Sequence, residues 1–355
     1  MYTIHTDNSK LRRNNMESFA PLVSVIIPTR NEESTIERTI TDLLDGEYKN
    51  IELIVVDGMS NDSTIEKVNE LIKRYGPRAR MKILKNEKKH TTAGLNLGIA
   101  NARGRYIMIA SAHATYSKNY ISECVVSLEN GECDVAGGIL EVLPRSQQLT
   151  AIAIAEVLKH PFGIGGARYR VGVEEKTYVD TVAYGVYRKE IFEKISLFDE
   201  RLVRNQDIEF NLRLQRAGYR IMCIPQAVAY YYARDNYIKL WSNNFGNGFW
   251  VTYSRKFVKG AYSLRHLIPL FFVIYLISLA LFLCLPISVV FKTIWLSPAV
   301  LYASLSVIFS MNIASEKKMM RVAPSIFLAF FVLHISYGIG SLYGILKYLF
   351  SAKIR

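Results

Sequence analysis

The chain is written for two solvents. From about residue 21 to 235, short apolar runs alternate with helix-period segments, the pattern of a soluble α/β domain. Between residues 267 and 346 lie three uncharged stretches, 267–291, 293–315 and 322–346. Each reaches the ~20 residues needed to cross a bilayer. A soluble unit followed by a membrane-compatible one points to chemistry on something held in a membrane. The resulting division is a flexible tail (1–20), a catalytic domain (21–235), an amphipathic interfacial segment (236–266) and a membrane domain (267–355).

The net charge of +13 suits phosphorylated ligands and an anionic membrane surface. No strong nucleic-acid motif accompanies it, so no nucleic-acid partner is expected. Cys124, Cys133, Cys223 and Cys284 form no CxxC pair, which disfavours zinc and suits a reducing compartment. The polar N-terminus does not read as a signal peptide. Arg255, Lys256, Lys259 and Arg265 precede the first apolar stretch. Lys317, Lys318 and Arg321 lie between the second and third, and only Lys292 between the first two. The positive-inside rule then puts the soluble domain and the second connection in the cytoplasm, in a multi-pass protein of the cell membrane. A full third crossing would place Lys347, Lys353 and Arg355 outside. With His334, Gly338, Gly340 and Gly344 in that stretch, a crossing, a re-entrant element and a tilted element all stay open.

Strands are expected at 22–28, 51–57, 81–86, 105–111 and 133–140, with helices between them. This β–α alternation implies a largely parallel sheet. Ligands of such sheets sit beyond the carboxyl ends of the strands, which points to residues 28–32, 57–60 and 111–113. No GxGxxG or GxxxxGK[ST] follows a strand, so an ATP P-loop or dinucleotide site is disfavoured. Asp57 closes its strand and reads either as a nucleoside-binding carboxylate or as the acceptor of an Asx-turn. Glu32 reads as a contact to the same nucleoside or as a first-turn acid favoured by the helix dipole. Gly163, Gly165 and Gly166 read as a flexible loop near substrate or as a plain turn. Tyr237, Trp241, Phe245, Phe249, Tyr253 and Phe257 recur every four residues. They suit an interfacial helix or ordinary packing, and Gly246 and Gly248 are expected to weaken it. Trp250 falls off this row; with Tyr253 it is a candidate acceptor-binding aromatic.

The runs VSVIIPTRNEESTIERTI, IELIVVDGMSNDST and AGLNLGIANARGRYI resemble the family 2 glycosyltransferases with the GT-A fold. HPFGIGGARYR and YGVYRKEIFEKISLFDERLVRNQDIEFNLRLQRAGYRI resemble the membrane-anchored, succinoglycan-biosynthesis ExoA-like branch. The resemblance implies inverting transfer of a sugar from a nucleotide-sugar. Thr29, Glu32 and Asp57 would line the nucleotide pocket, and Lys88 or Lys89 would approach the diphosphate. The family's metal-binding DXD pair, which holds Mg²⁺ or Mn²⁺, corresponds here to Ser111-Ala112-His113, so one carboxylate is lost. His113 is then a metal ligand, a direct phosphate donor or a loop histidine. Asp207 matches the general base, with Glu209 its nearest rival; Asn205 is expected to cap their helix. QxxRW, expected of a processive synthase, is absent. These residues imply a single-sugar transfer from a UDP- or GDP-sugar to a lipid-linked, polyprenyl-diphosphate saccharide. A polyprenyl-phosphate sugar synthase and a non-catalytic nucleotide-sugar-binding scaffold are the alternatives.

Overall fold

Strand β2 (Ile51–Asp57) is buried at all seven positions, which is why its sequence is a near-continuous apolar run. Its interior acid, Glu52, accepts from Ser24 Oγ at 2.6 Å, Arg103 N at 2.7 Å and Arg103 Nε at 3.0 Å. A buried carboxylate is tolerated there because its lone pairs are satisfied. β1 (Val23–Thr29), β3 (Arg80–Lys85) and β4 (Tyr106–Ile109) complete a parallel half-sheet in the order β3-β2-β1-β4. α1 (Ile36–Leu44), α2 (Thr64–Tyr75) and α3 (Thr91–Ala100) are the intervening helices. The computed structural model describes residues 20–258 and 264–352. The expected tail up to residue 19, and Lys259, Lys353 and Arg355, lie outside the described residues.

Beyond β4 the sheet becomes mixed. β8 (Ala183–Arg188) runs antiparallel between β4 and β6 (Val135–Leu143), and β6 pairs in parallel with β9 (Ile221–Tyr232). β5 (Ala114–Tyr116) and β7 (Thr177–Tyr178) are short antiparallel partners of β9. The α/β, mainly parallel GT-A architecture expected from the sequence is therefore the one found, with an antiparallel side added.

The two halves of the chain share a core. α5 (Leu149–Val157) buries Ala151, Ile152, Ala153, Ile154, Ala155 and Val157. Its partners lie on α10 (Tyr237–Tyr253), α12 (Val289–Glu316) and α13 (Ala323–Ala352), among them Leu240, Ile313, Ile326, Ala329 and Phe330. Next along the chain, the short α6 (Pro161–Ile164) plugs Phe162 among the rings of Tyr302, Phe309, Phe330 and His334, with centroids 5.1–5.6 Å away. His334 Nε2 lies 3.0 Å from the Phe162 carbonyl and its Nδ1 lies 2.8 Å from Tyr302 Oη. The glycine cluster is thus a docking turn. A Cβ on Gly163 would meet the Val157 carbonyl at 2.1 Å, and Gly165 and Gly166 adopt φ of 67° and 74°.

α10 runs unbroken through Gly246 and Gly248, contrary to the weakening expected of them. Tertiary packing overrides propensity here. A Cβ on Gly248 would lie 2.0 Å from the Tyr337 carbonyl, and one on Gly340 would lie 2.1 Å from the Phe245 carbonyl. Small residues on both helices let the backbones touch. The helices run in the same direction: Tyr237 Oη donates to the Ser325 carbonyl at 3.0 Å near their starts, and Lys347 sits over the Phe249 and Tyr253 rings near their ends. α13 is one continuous helix along α10. The aromatic row packs on α13, with Phe245 and Phe249 both near Tyr343.

The first apolar stretch is divided. α11 (Ile268–Cys284) ends before a break at residues 285–288, and α12 begins at Val289. α12 and the stretch Met320–Phe350 are long and apolar enough to cross a membrane. α11 has 17 residues, or about 26 Å of helix. Large apolar side chains on α11 and α12, including Phe271, Leu281, Val289 and Leu301, are exposed. Lys317 Nζ pairs with Glu156 Oε1 at 3.0 Å, which holds the α12–α13 connection against the catalytic domain.

Candidate active site

A cleft of about 660 Å³ opens at the carboxyl ends of the parallel strands. Thr29 and Glu32 line it after β1, Gly58 after β2, and Ser111 and His113 after β4. Arg30, Lys89, Arg170, Arg204 and Arg234 also line it, against only Glu32 and Asp207 as acids. Five cations around two carboxylates suit a polyanion such as a diphosphate.

Glu32 precedes α1 by four residues, so it is not the first-turn acid considered from sequence. Its Oε1 lies 3.1 Å from His113 Nδ1 and its Oε2 accepts from Thr35 Oγ1 at 2.9 Å. Burial raises its pKa, but the His113 hydrogen bond and charge, the Thr35 bond and Arg234 outweigh it, leaving the group below its ordinary value. Ser111 N donates to Tyr116 Oη at 2.9 Å, and His113 N approaches Ser111 Oγ at 3.4 Å.

Asp57 is 8% exposed. Its Oδ1 accepts from Ser60 N at 3.1 Å and Ser60 Oγ at 2.6 Å, which is the Asx-turn alternative. Its neighbours Val56 and Gly58 line the cleft, and the Asp57 carboxylate does not. The two candidate lysines separate. Lys88 Nζ pairs with Glu200 Oε2 at 2.6 Å, whereas Lys89, with φ of 61°, lines the cleft. Of the two, Lys89 is the one that faces the cleft, and Lys88 does not line it.

Asp207 sits in the first turn of α9 (Gln206–Arg216). The loop before it is clamped to α3: Asn96 Nδ2 donates to the Phe198 carbonyl at 2.9 Å, Phe198 N donates back to Asn96 Oδ1 at 3.0 Å, and Thr92 Oγ1 donates to the Leu202 carbonyl at 2.6 Å. Asn205 adopts φ of 60° and makes no side-chain cap. Its Nδ2 donates to the Asn247 carbonyl at 3.2 Å instead, because the chain must turn sharply to aim Asp207 inward. The Asp207 side chain lines the cleft and is exposed to it, with dense protein around the cleft wall. Desolvation raises its pKa; backbone bonds from Ile208 and Asp207 and the nearby Arg170 oppose this only in part. A raised carboxylate pKa in a cleft is what a general base requires. Glu209, the rival, does not line the cleft. It is 3% exposed and bound to Arg213 at 2.7 and 3.0 Å.

Trp250 and Tyr253 lie away from the cleft lining. Their rings pack with Phe249 and each other at 5.0–5.8 Å. The geometry does not bring them to an acceptor position. Residues not singled out from sequence are Arg170, Arg204, Arg234 and Asn247. They come from four separate segments, and no spacing rule joins them.

A model of glycosyl transferase family 2 matches residues 24–196. A Methanococcus voltae protein, dolichyl N-acetyl-alpha-D-glucosaminyl phosphate 3-beta-D-2,3-diacetamido-2,3-dideoxy-beta-D-glucuronosyltransferase, is 30% identical over 265 residues, which is 72% of this chain and 80% of that one. The chain belongs to glycosyl transferase family 2. Succinoglycan biosynthesis protein ExoA of Rhizobium meliloti (strain 1021) is 29% identical over 227 residues, 63% of this chain and 67% of that protein. Among solved structures, a mannosyltransferase from Pyrobaculum calidifontis in complex with GDP-Man and Mn²⁺ shares the fold, with a TM-score of 0.60 and 16% identity over 92% of this chain and 88% of that one. The protein is thus a glycosyltransferase of the family that contains ExoA, with the GT-A architecture.

Proposed function

We propose that this glycosyltransferase moves one sugar, with inversion, from a UDP- or GDP-sugar to a hydroxyl of a lipid-linked saccharide. The observation that carries the reading is Asp207, a carboxylate exposed to a cation-lined cleft on a clamped helix start, with its pKa raised by the protein around it. The name of the Methanococcus voltae relative describes a dolichyl phosphate-linked sugar as its acceptor, which supports the lipid-linked class. Asp207 takes the proton of the acceptor hydroxyl as that oxygen attacks the anomeric carbon. The bond to the donor diphosphate breaks with its electrons leaving on the phosphate oxygen. Lys89, Arg30 and Arg234 offset that charge. Asp57 and Thr29 stand at the nucleoside end, and Asp57 reaches a base only by exchanging its bonds to Ser60.

His113 and Glu32 form a two-donor set, and the described residues contain no group of three or more His, Cys, Asp or Glu able to hold a metal ion. One imidazole and one carboxylate, from His113 and Glu32, would be the side chains to hold a divalent cation there. When bound, such a cation neutralises the leaving diphosphate. Imidazole favours Mn²⁺ over Mg²⁺. Transfer should be faster with Mn²⁺ and should stop in EDTA. Full activity in chelator would assign the neutralisation to the basic side chains alone.

The exposed apolar α11–α12 hairpin is read as the membrane insertion, with the catalytic domain and the α12–α13 connection on the cytoplasmic side. Cys284, an exposed free thiol at the hairpin's turn, should be protected from a membrane-impermeant maleimide supplied on the catalytic side of sealed vesicles. A cysteine at Lys317 should react there. Labelling of Cys284 from the catalytic side would overturn this topology. The function itself is tested by screening nucleotide-sugars with the purified protein and reading nucleoside diphosphate release.

A further inference from the structure

Next to the cleft lies a second cavity, of about 480 Å³, between α6, α10, α11 and α13. Its walls are mostly apolar, including Ile268, Pro269, Phe272 and Leu333. A third space of about 440 Å³ runs between the two, and Asp207 opens onto it. Arg170 and Asn247 line all three. These shared lining residues link the proposed base to a chamber walled by the apolar C-terminal helices.

The junction carries positive charge with neutral partners. Arg204 Nη1 donates to Asn243 Oδ1 at 3.0 Å and Asn247 Oδ1 at 3.1 Å, and Arg170 Nε donates to Tyr169 Oη at 3.3 Å. Arg204 is pushed below its ordinary pKa, first by burial and then by Arg234, so the arginines also crowd one another. The Asp207 carboxylate near Arg170 offsets only part of this charge, and partly buried cations in excess of their countercharge are costly to hold. An anion arriving at the junction relieves that cost. The adjoining chamber has polar groups in only part of its lining, Arg170 among them, and its mostly apolar wall suits a hydrocarbon.

Resting on the lipid-linked acceptor reading, we infer that this junction and chamber form the acceptor-carrier site. The phosphate or diphosphate of a lipid carrier sits on Arg170 and Arg204, its proximal chain occupies the chamber, and its saccharide points to Asp207. The chamber is too small for a long chain, so the remainder leaves past Ile268, which is 59% exposed, toward the membrane. The donor diphosphate occupies the separate Lys89 and His113 side of the cleft.

The test uses the full chain in detergent, farnesyl diphosphate as probe, and calorimetry. Farnesyl diphosphate should bind at least about tenfold more tightly than inorganic pyrophosphate, because chain burial adds to the charge-assisted bonds. Arg170→Ala should weaken both ligands by about tenfold or more, the loss expected of a charged hydrogen bond. Ile268→Asp, at an exposed position that folding tolerates, should weaken farnesyl diphosphate alone. Saturating UDP or GDP should leave probe binding intact. Equal affinity for the two anions, no effect of Ile268→Asp, or displacement of the probe by nucleotide would each overturn the site. Nucleotide affinity measured on the same samples tests the transferase reading separately, so failure of one is distinguishable from failure of the other.

Discussion

Asp207→Asn lowers transfer to a hydroxyl acceptor by roughly two to four orders of magnitude, the span of general-base catalysis. The amide keeps the shape and can still accept from the helix start, but it cannot take a proton. Folding should survive, and the sign of the pKa shift says why. Burial raises the folded-state pKa of Asp207, so the folded chain binds this proton more tightly than the unfolded chain does. The cost of its charge is absent below the unfolded pKa, grows as pH rises and is complete above the folded pKa. Asp207 is exposed to the cleft, so solvent screens most of this cost and the Asn variant should be about as stable as the parent at neutral pH. Transfer by the parent should rise with pH along an acid limb lying above the ordinary carboxylate range. Nucleotide binding, read by calorimetry, should be retained. Near-normal transfer by the variant would reduce Asp207 to a helix-start residue. Glu209→Gln is a contrast: it breaks the Arg213 ion pair and should cost stability before it costs chemistry.

Gly340→Ala is the second large effect. A methyl there points at the Phe245 carbonyl at 2.1 Å, and a backbone atom cannot rotate away. α13 must separate from α10, at a cost of ~1–3 kcal/mol for overpacking. Because Asn247 on α10 holds both Arg204 and Asn205, transfer should fall along with stability. Thermal unfolding in detergent measures the first effect, with Leu349→Ala, at a half-exposed position of α13, as the control. An unchanged melting temperature for Gly340→Ala would mean that the two helices do not depend on this contact.

The parallel half-sheet was legible because β1, β2 and β4 are buried on both faces and leave mostly apolar runs. α5 was not. Its LTAIAIAEV is apolar on every side because it lies between the catalytic domain and the C-terminal helices, so no period marks it. β9 escaped notice because Pro225 interrupts it and its three partners come from distant segments. The glycines of α13 were visible as an oddity, but their purpose depends on α10, far away in sequence. Asp207 was reached through family resemblance, and the fold explains it by placing a clamped loop before α9. The sequence could not choose between Lys88 and Lys89, since one residue of register decides which side chain meets Glu200 and which faces the cleft.

The most direct test incubates the purified chain with a panel of nucleotide-sugars and a lipid-linked saccharide, and follows nucleoside diphosphate release together with the mass of the lipid product. The account predicts one sugar added to a saccharide hydroxyl for each nucleoside diphosphate released, with Asp207→Asn suppressing both equally. Nucleoside diphosphate release without a heavier lipid product, or attachment of the sugar to a lipid phosphate in place of a hydroxyl, would contradict it.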